Sequence, residues 1–461
     1  MRTHLAEEVQ GDNISVRGSS TEPVLTPAEA AAVAATPPLQ SRREPRSDEA
    51  DVDWFAQPGT HWCPWNSNNC SNTLSIRGQG TIEIIELEPT PFEIKLSNRS
   101  DPYDRSAYKI VLTVDKHEAK LSANNVVLDV STDPHHILQP SDEKWHTYWL
   151  SIFKDTRQVR YGIGETRLNF TIYDNCLPEN DLPSIRELYY LHIKLNNNDR
   201  MLTELGNSRK NFRFFIGKEP IVYDPPLIVV PQSSYTLEHA AMHTAIAPSK
   251  LEKPCRDLYD SIINFTLNDD QFPDFVRAIE RSLKNPNGWC HRKLIEKANR
   301  FGRPNPKATY LRITIGEREG QSPGHAYVIE IWPPGHYSPV HNHSNAYGII
   351  RVLYGRILVK LYPDLTLNVR EVAPIEQILE EGQVTWMLPR LNQTHQVKNP
   401  DLYGTCCITL QCYQYGPEDR QHYEYFDYLA NDGCSIGHFD PKSDMDYAEF
   451  KQRMRQEWQS S

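Results

Sequence analysis

Between residues 54 and 218, apolar and polar residues alternate in short runs separated by clusters of Asn, Asp, Pro and Gly. The clearest are Thr81-Ile82-Glu83-Ile84-Ile85, Tyr108-Lys109-Ile110-Val111-Leu112 and Val126-Val127-Leu128-Asp129-Val130, followed by 145–153 and 168–173. Period-two alternation gives each strand one buried and one exposed face. Many short strands spaced by turn signals predict an all-β sandwich. Trp145, Tyr148 and Trp149 could stack on a ligand, but core packing is the favoured reading. After a proline-rich stretch, 219–231, the period turns helical. Phe272, Phe275, Ile279 and Leu283, at spacings of three, four and four, predict a helix over 268–283. Asn268, Asp269 or Asp270 can cap it, and Pro273 falls in its first turn. A second helix is expected from His291 to Arg300, stopped by Gly302, and the pair is expected to cover one end of the domain that follows. Strand-like runs return over 308–416, including 326–332 and 347–361. The Tyr-rich 419–440 is expected to wrap back across them, and 443–458 reads as a terminal helix capped by Ser443 or Asp444.

Length and composition refine this division. A chain of 461 residues is too long for one ordinary domain. Residues 1–52 carry few large apolar side chains and read as disordered. The other divisions are a sandwich at 53–218, a linker at 219–250, a second β domain at 251–440 and a C-terminal helix and tail at 441–461. The net charge of −11 gives no general attraction for nucleic acid or acidic membranes, so neither is expected as a partner. No run of about 18 apolar residues is present, and the first residues lack the apolar core of a signal peptide. A cytoplasmic protein with nine reduced cysteines is the expectation. Cys63 and Cys70 could form half of a zinc site, but no second pair follows, so they read as unrelated thiols. The acceptor-like Asn169-Phe170-Thr171 and Asn264-Phe265-Thr266 carry no meaning without a secretory signal.

The candidate chemistry lies in Gly335-His336-Tyr337-Ser338-Pro339-Val340-His341-Asn342-His343 and in His395. Histidines two apart on a strand share a face, although such a pair alone also fits two ordinary strand histidines. The surrounding spacing decides between these readings. Gly335 lies six before His341, Gly348 and Gly355 follow, and a second block runs from Gly382 through Pro389 to His395 and Asn399. Both blocks resemble the two cupin motifs, in order. The fold class is therefore mainly β: an N-terminal sandwich, then a cupin jelly-roll barrel over about 308–416, with a few flanking helices. Three neutral imidazoles, from His341, His343 and His395, would converge inside such a barrel, each roughly 2.0–2.2 Å from a metal ion with positions left open.

Within the cupins, the stretch from about Asp269 to Tyr415 resembles cysteine dioxygenase. The marks are Tyr310-Leu311-Arg312, Trp332, Ser338 to His343, Val352-Leu353-Tyr354-Gly355, His395 to Asn399, and Leu410-Gln411-Cys412-Tyr413. That resemblance implies Fe(2+) on the three histidines, with L-cysteine and O2 as substrates and cysteine sulfinic acid as product. It places Arg312, with Tyr310, at the substrate carboxylate, which a planar guanidinium can grip with two hydrogen bonds. It places the Tyr413 hydroxyl near bound oxygen and substrate; Trp332, three before Gly335, is read as packing beneath the histidine-bearing strand. Two positions depart from the pattern. Gly348 stands where animal enzymes carry a cysteine crosslinked to the tyrosine, so no thioether is expected. Gln411 replaces a histidine beside Tyr413; an amide can hold the hydroxyl but does not exchange a proton near neutral pH. The alternatives are a dioxygenase for another small thiol such as 3-mercaptopropionate, and a non-catalytic metal- or ligand-binding cupin. The strands around Trp145 to Gly164 resemble the lectin-like sandwich called the farnesoic acid O-methyltransferase-like domain. Without a glycine-rich nucleotide loop, that resemblance implies a binding or packing module for an unknown ligand or protein.

Overall fold

The computed structural model describes residues 73–460, except 88, 102, 141–144, 196–211, 318–324, 344–345, 368, 390, 416–425 and 440–441. The expected disordered region 1–52, and Cys63 with Cys70, lie outside the described residues.

The alternating runs of the N-terminal half form β1 (Gln79–Glu86), β2 (Phe92–Ser97), β3 (Lys109–Val114), β4 (Ala119–Ala123) and β5 (Val126–Ser131). They continue as β6 (His146–Phe153), β7 (Gln158–Ile163), β8 (Thr171–Cys176), β9 (Tyr190–Leu195) and β10 (Phe212–Gly217). Two antiparallel sheets result, ordered β10-β1-β6-β7-β8 and β5-β4-β3-β2-β9. Ile82, Ile84, Ile94, Leu112, Tyr148 and Leu150 fill the core between them. Tyr148 and Trp149 are fully buried, whereas Trp145 is only half-buried. The run at 168–173 opens with a 3-10 turn, Leu168–Phe170, and becomes strand only at Thr171.

Glu86 closes β1 inside this module and is 1 % exposed. Burial pushes its carboxyl from 4.5 up to about 8, against a hydrogen bond from the Thr90 amide and the neighbouring His146. A group whose folded pKa is raised stabilises the fold below its unfolded pKa and loses that contribution as pH rises through the folded value. Glu86→Gln should therefore match the wild type near pH 4.5 and exceed it by ~3 kcal/mol near pH 7, measured by urea unfolding at both pH values.

The second module contains β11 (Leu311–Glu317), β12 (His325–Trp332), β13 (Tyr347–Tyr354), β14 (Arg356–Leu361), β15 (Ile375–Glu380) and β16 (Val384–Met387). It closes with β17 (His395–Lys398), β18 (Cys407–Gln414), β19 (Phe426–Leu429), β20 (Ile436–Phe439) and β21 (Met445–Asp446). One sheet is ordered β16-β13-β18-β12-β11-β21. The facing sheet is built from β15-β14-β17 and the hairpin β19-β20. Residues 337–341 join those two pieces, bridging Lys398 and His395 on one side and Tyr428 on the other. The result is a jelly roll. Gly355 makes the tight β13–β14 turn at φ +71°, where a Cβ would stand 2.6 Å from the Cys406 carbonyl oxygen.

Alternation in the larger sheet sorts two environments. Leu311, Ile313, Ile329, Ile331, Leu410 and Cys412 face a cluster with helices Lys253–Ile262, Phe275–Lys284, Trp289–Glu296 and Tyr447–Gln459. The intervening Arg312, Glu330, Trp332, Gln411 and Tyr413 line the barrel cavity. The helices thus cover the outer face of a sheet rather than one end of the barrel, because the apolar strand positions lie on that face. The first predicted helix begins at Phe275, since Pro273 disfavours helical geometry in the residue before it. Asp269 instead closes a turn onto the Gln271 and Phe272 amides, and the Asn268 side chain accepts from the Val276 amide at 3.1 Å. The terminal helix is capped by Asp446, which accepts from the Ala448 amide. Asp444 is spent on the Arg312 amide and Lys297.

The segment 219–250 is held to the barrel. Val229 pairs with Val384 and Ile246, and the Trp386 indole donates to the Pro226 carbonyl at 2.9 Å. A second contact comes from the sandwich. The buried Glu165 carboxylate accepts from the Asn392 and Gln393 amides at 2.9 and 2.8 Å and pairs with Arg167 at 3.1 Å. That contact steadies the loop leading into His395. Gly164 (φ +81°) permits it, since a Cβ there would sit 2.3 Å from the Pro363 carbonyl oxygen. Gly164→Ala should cost roughly 1–3 kcal/mol and weaken metal retention, read by thermal unfolding and by metal content after dialysis.

Candidate metal centre

His341 and His343 do not lie on a regular strand; His341 occupies the bridging rung, and His343 follows it. Reciprocal amide–carbonyl hydrogen bonds of 2.9 Å lock His341 to His395. Ser338 adds a second tie: its amide donates to the Val397 carbonyl at 2.8 Å, and its hydroxyl accepts from the Val397 amide at 3.0 Å. Asn399, the last residue of the second motif, spans from the Trp332 carbonyl to the Thr405 carbonyl.

The three imidazoles converge. Their candidate ligand nitrogens lie within 4.8 Å of one another, and the His343 and His395 Nε2 atoms are 3.0 Å apart. Two ligands at right angles around an ion, each about 2.1 Å from it, would be about 3 Å apart. His341 Nδ1 lies 3.0 Å from the Pro339 carbonyl oxygen, a contact that puts the proton on Nδ1 and leaves Nε2 as the free lone pair. Burial pulls His341 down to about 4, the nearby Arg312 charge adding to the effect. Burial likewise holds His343 and His395 well below the usual histidine range, with the neighbouring imidazoles reinforcing it. All three are neutral near pH 7, the state a metal ligand requires. This donor set fits a metal ion.

The cavity beside them receives the other sequence-predicted residues. Tyr413 stacks on the His343 ring at 4.9 Å, and Phe426 from the returning strand sits 4.5 Å from the same ring. The Tyr413 hydroxyl donates to Gln411 Oε1, so the amide does hold the phenol. Trp332 stacks on Tyr310 at 4.4 Å and donates to the Thr409 hydroxyl at 3.1 Å, which places it in the cavity wall. Gly348 pairs with Tyr413 across β13 and β18. A Cβ on Gly348 would come within 3.1 Å of the Tyr413 ring and 2.8 Å of Met387 Cγ. Among the described residues no cysteine lines the cavity.

Sequence reasoning missed Glu330. It is 3 % exposed, lines the cavity, and accepts from Arg312 Nη1 at 2.7 Å and from Gln411 Nε2 at 2.5 Å. Burial pushes its carboxyl up, while Arg312 pulls it down. Arg312 is also buried, and its Nε has no hydrogen-bond partner among the described residues. The signal was available: one carboxylate within Tyr327-Val328-Ile329-Glu330-Ile331-Trp332 demands a buried partner.

A jelly roll with three convergent histidines is an architecture that can hold a metal ion. No protein-family model matches the sequence. Among solved structures, an oxalate oxidase is similar over 20% of this chain and 42% of its own, at 20% identity and TM-score 0.16. A Thermus thermophilus protein is similar over 26% of this chain and 94% of its own, at 21% identity and TM-score 0.18. The cupin domain of an XRE-family transcriptional regulator from Enterobacter cloacae is similar over 23% of this chain and 97% of its own, at 12% identity and TM-score 0.19. Among the described residues, no helix is long and apolar enough to cross a membrane.

Proposed function

We propose that the chain is an iron-dependent thiol dioxygenase that oxidises L-cysteine to cysteine sulfinic acid. The observation that carries this reading is the neutral three-histidine cluster beside one cavity that also holds Arg312 and Tyr413. Fe(2+) held by His341, His343 and His395 would supply the redox activity that lets a thiol react with O2. Both oxygen atoms end on sulfur and the thiol proton stays with the product, so the reaction needs no outside reductant. The protein's own groups do the rest. Arg312 keeps a buried, unpartnered Nε that can donate to a substrate carboxylate. Tyr413, oriented by Gln411, presents a phenol to developing oxygen charge. Phe301, Tyr428 and Phe439 line the cavity with aromatic rings that would limit the water beside the reacting atoms.

The test is oxygen uptake by purified, iron-loaded protein with L-cysteine, 3-mercaptopropionate and cysteamine in turn, with product identification by mass spectrometry. Sulfinic acid from L-cysteine supports the reading. Turnover of only another thiol moves the assignment to that substrate. Iron retention without any uptake supports a binding cupin instead.

A further inference from the structure

Arg312 and Glu330 form a buried ion pair inside the cavity, beside the three histidines. Side-chain exposures are 7% and 5%, and the contact is 2.7 Å. The second Glu330 oxygen is held by Gln411 Nε2, whose own oxygen receives the Tyr413 hydroxyl. One connected chain, Arg312–Glu330–Gln411–Tyr413, thus crosses the floor of the site, and its formal charges cancel. A guanidinium that faces an incoming carboxylate with no counter-charge attracts it strongly, because a buried charge is poorly screened. Here a protein carboxylate already occupies one arm of the fork.

We propose that Glu330 is a specificity-determining residue, an internal carboxylate that competes for Arg312 and makes the site a tolerant one, accepting small thiols with or without a carboxylate. The inference rests on the thiol-dioxygenase reading for its substrates, but the charge balance it describes belongs to the cavity itself. A carboxylate thiol gains only the donors that Glu330 leaves free, and it brings its negative charge close to that of Glu330. An aminothiol without the carboxylate forgoes that contact and suffers no such repulsion. Selection between the two is therefore weak in the wild type. Neutralising Glu330 while keeping an acceptor for Arg312 releases the full positive charge to the substrate.

The experiment compares L-cysteine with cysteamine on the full chain loaded with iron, in wild type, Glu330→Gln and Glu330→Asp. The kcat/KM ratio of cysteine over cysteamine should lie within about tenfold of unity in the wild type. In Glu330→Gln it should rise by at least about tenfold, mainly through a lower KM for cysteine. Glu330→Asp, which keeps the charge, should restore a ratio near that of the wild type. A ratio that stays flat or falls in Glu330→Gln overturns the proposal. So does a wild type that already prefers cysteine by more than about a hundredfold, which needs no variant to fold. Anaerobic calorimetry with the same two thiols separates the two claims. If the wild type oxidises neither thiol, the L-cysteine reading fails, and the binding ratios still decide the role of Glu330.

Discussion

His395→Ala is expected to lose its metal and its thiol oxidation together while remaining folded. His395 supplies one of three nitrogens gathered within 4.8 Å, so its loss leaves two ligands on a face that needs three. Disturbing a partner outside the ligand set already costs about 10–100-fold in metal affinity, and removing a ligand should cost more than about a hundredfold. The fold should survive, because the ties between 341 and 395 are made by main-chain atoms that alanine retains. The alanine also removes a buried group crowded against two other imidazoles. Metal analysis after gel filtration, circular dichroism and oxygen uptake check the three parts. His117→Ala, on an exposed turn of the sandwich, serves as the control and should retain both metal and activity.

Arg312→Ala should destabilise the protein by about 3–5 kcal/mol, because it strands Glu330 as a buried carboxylate without its paired guanidinium. Replacing both partners, Arg312→Met with Glu330→Leu, should recover most of that loss, since an apolar pair of similar volume escapes the desolvation cost. Urea unfolding of Arg312→Met, Glu330→Leu and the double variant measures the coupling directly. A double variant no more stable than Arg312→Ala would contradict the pairing. The same reasoning bears on activity assays. A lower rate in Arg312→Ala alone would mix lost carboxylate recognition with an unbalanced charge on Glu330, so it is read beside the rate of Glu330→Gln, which keeps the guanidinium.

The convergence of the three histidines and the barrel were legible because they follow from spacing. Period-two alternation marked β1, β3 and β6, and the two glycine-framed blocks brought His341, His343 and His395 to one point. Gly355 was legible for a local reason as well, since its turn needs a positive φ. Other features depended on partners far along the chain. Glu330 meets Arg312 from a neighbouring strand and Gln411 from 81 residues away, so neither contact is written in its local sequence. Glu165 reaches the His395 loop across 227 residues, from the sandwich into the barrel. Nothing in the residues around Glu165 signals that the sandwich contacts the loop that leads into His395. The helix over 268–283 was right in its apolar stripe and wrong in its start, because Asp269 and Pro273 favour a turn before the helix.

The most direct measurement is mass spectrometry of the product formed from L-cysteine by the iron-loaded full chain under isotopically heavy dioxygen. The expected product is cysteine sulfinic acid carrying both heavy atoms, formed in step with oxygen consumption and absent in His395→Ala. Iron bound at the three histidines with no labelled sulfinate formed, or sulfinate whose oxygen comes from water, would contradict the dioxygenase reading.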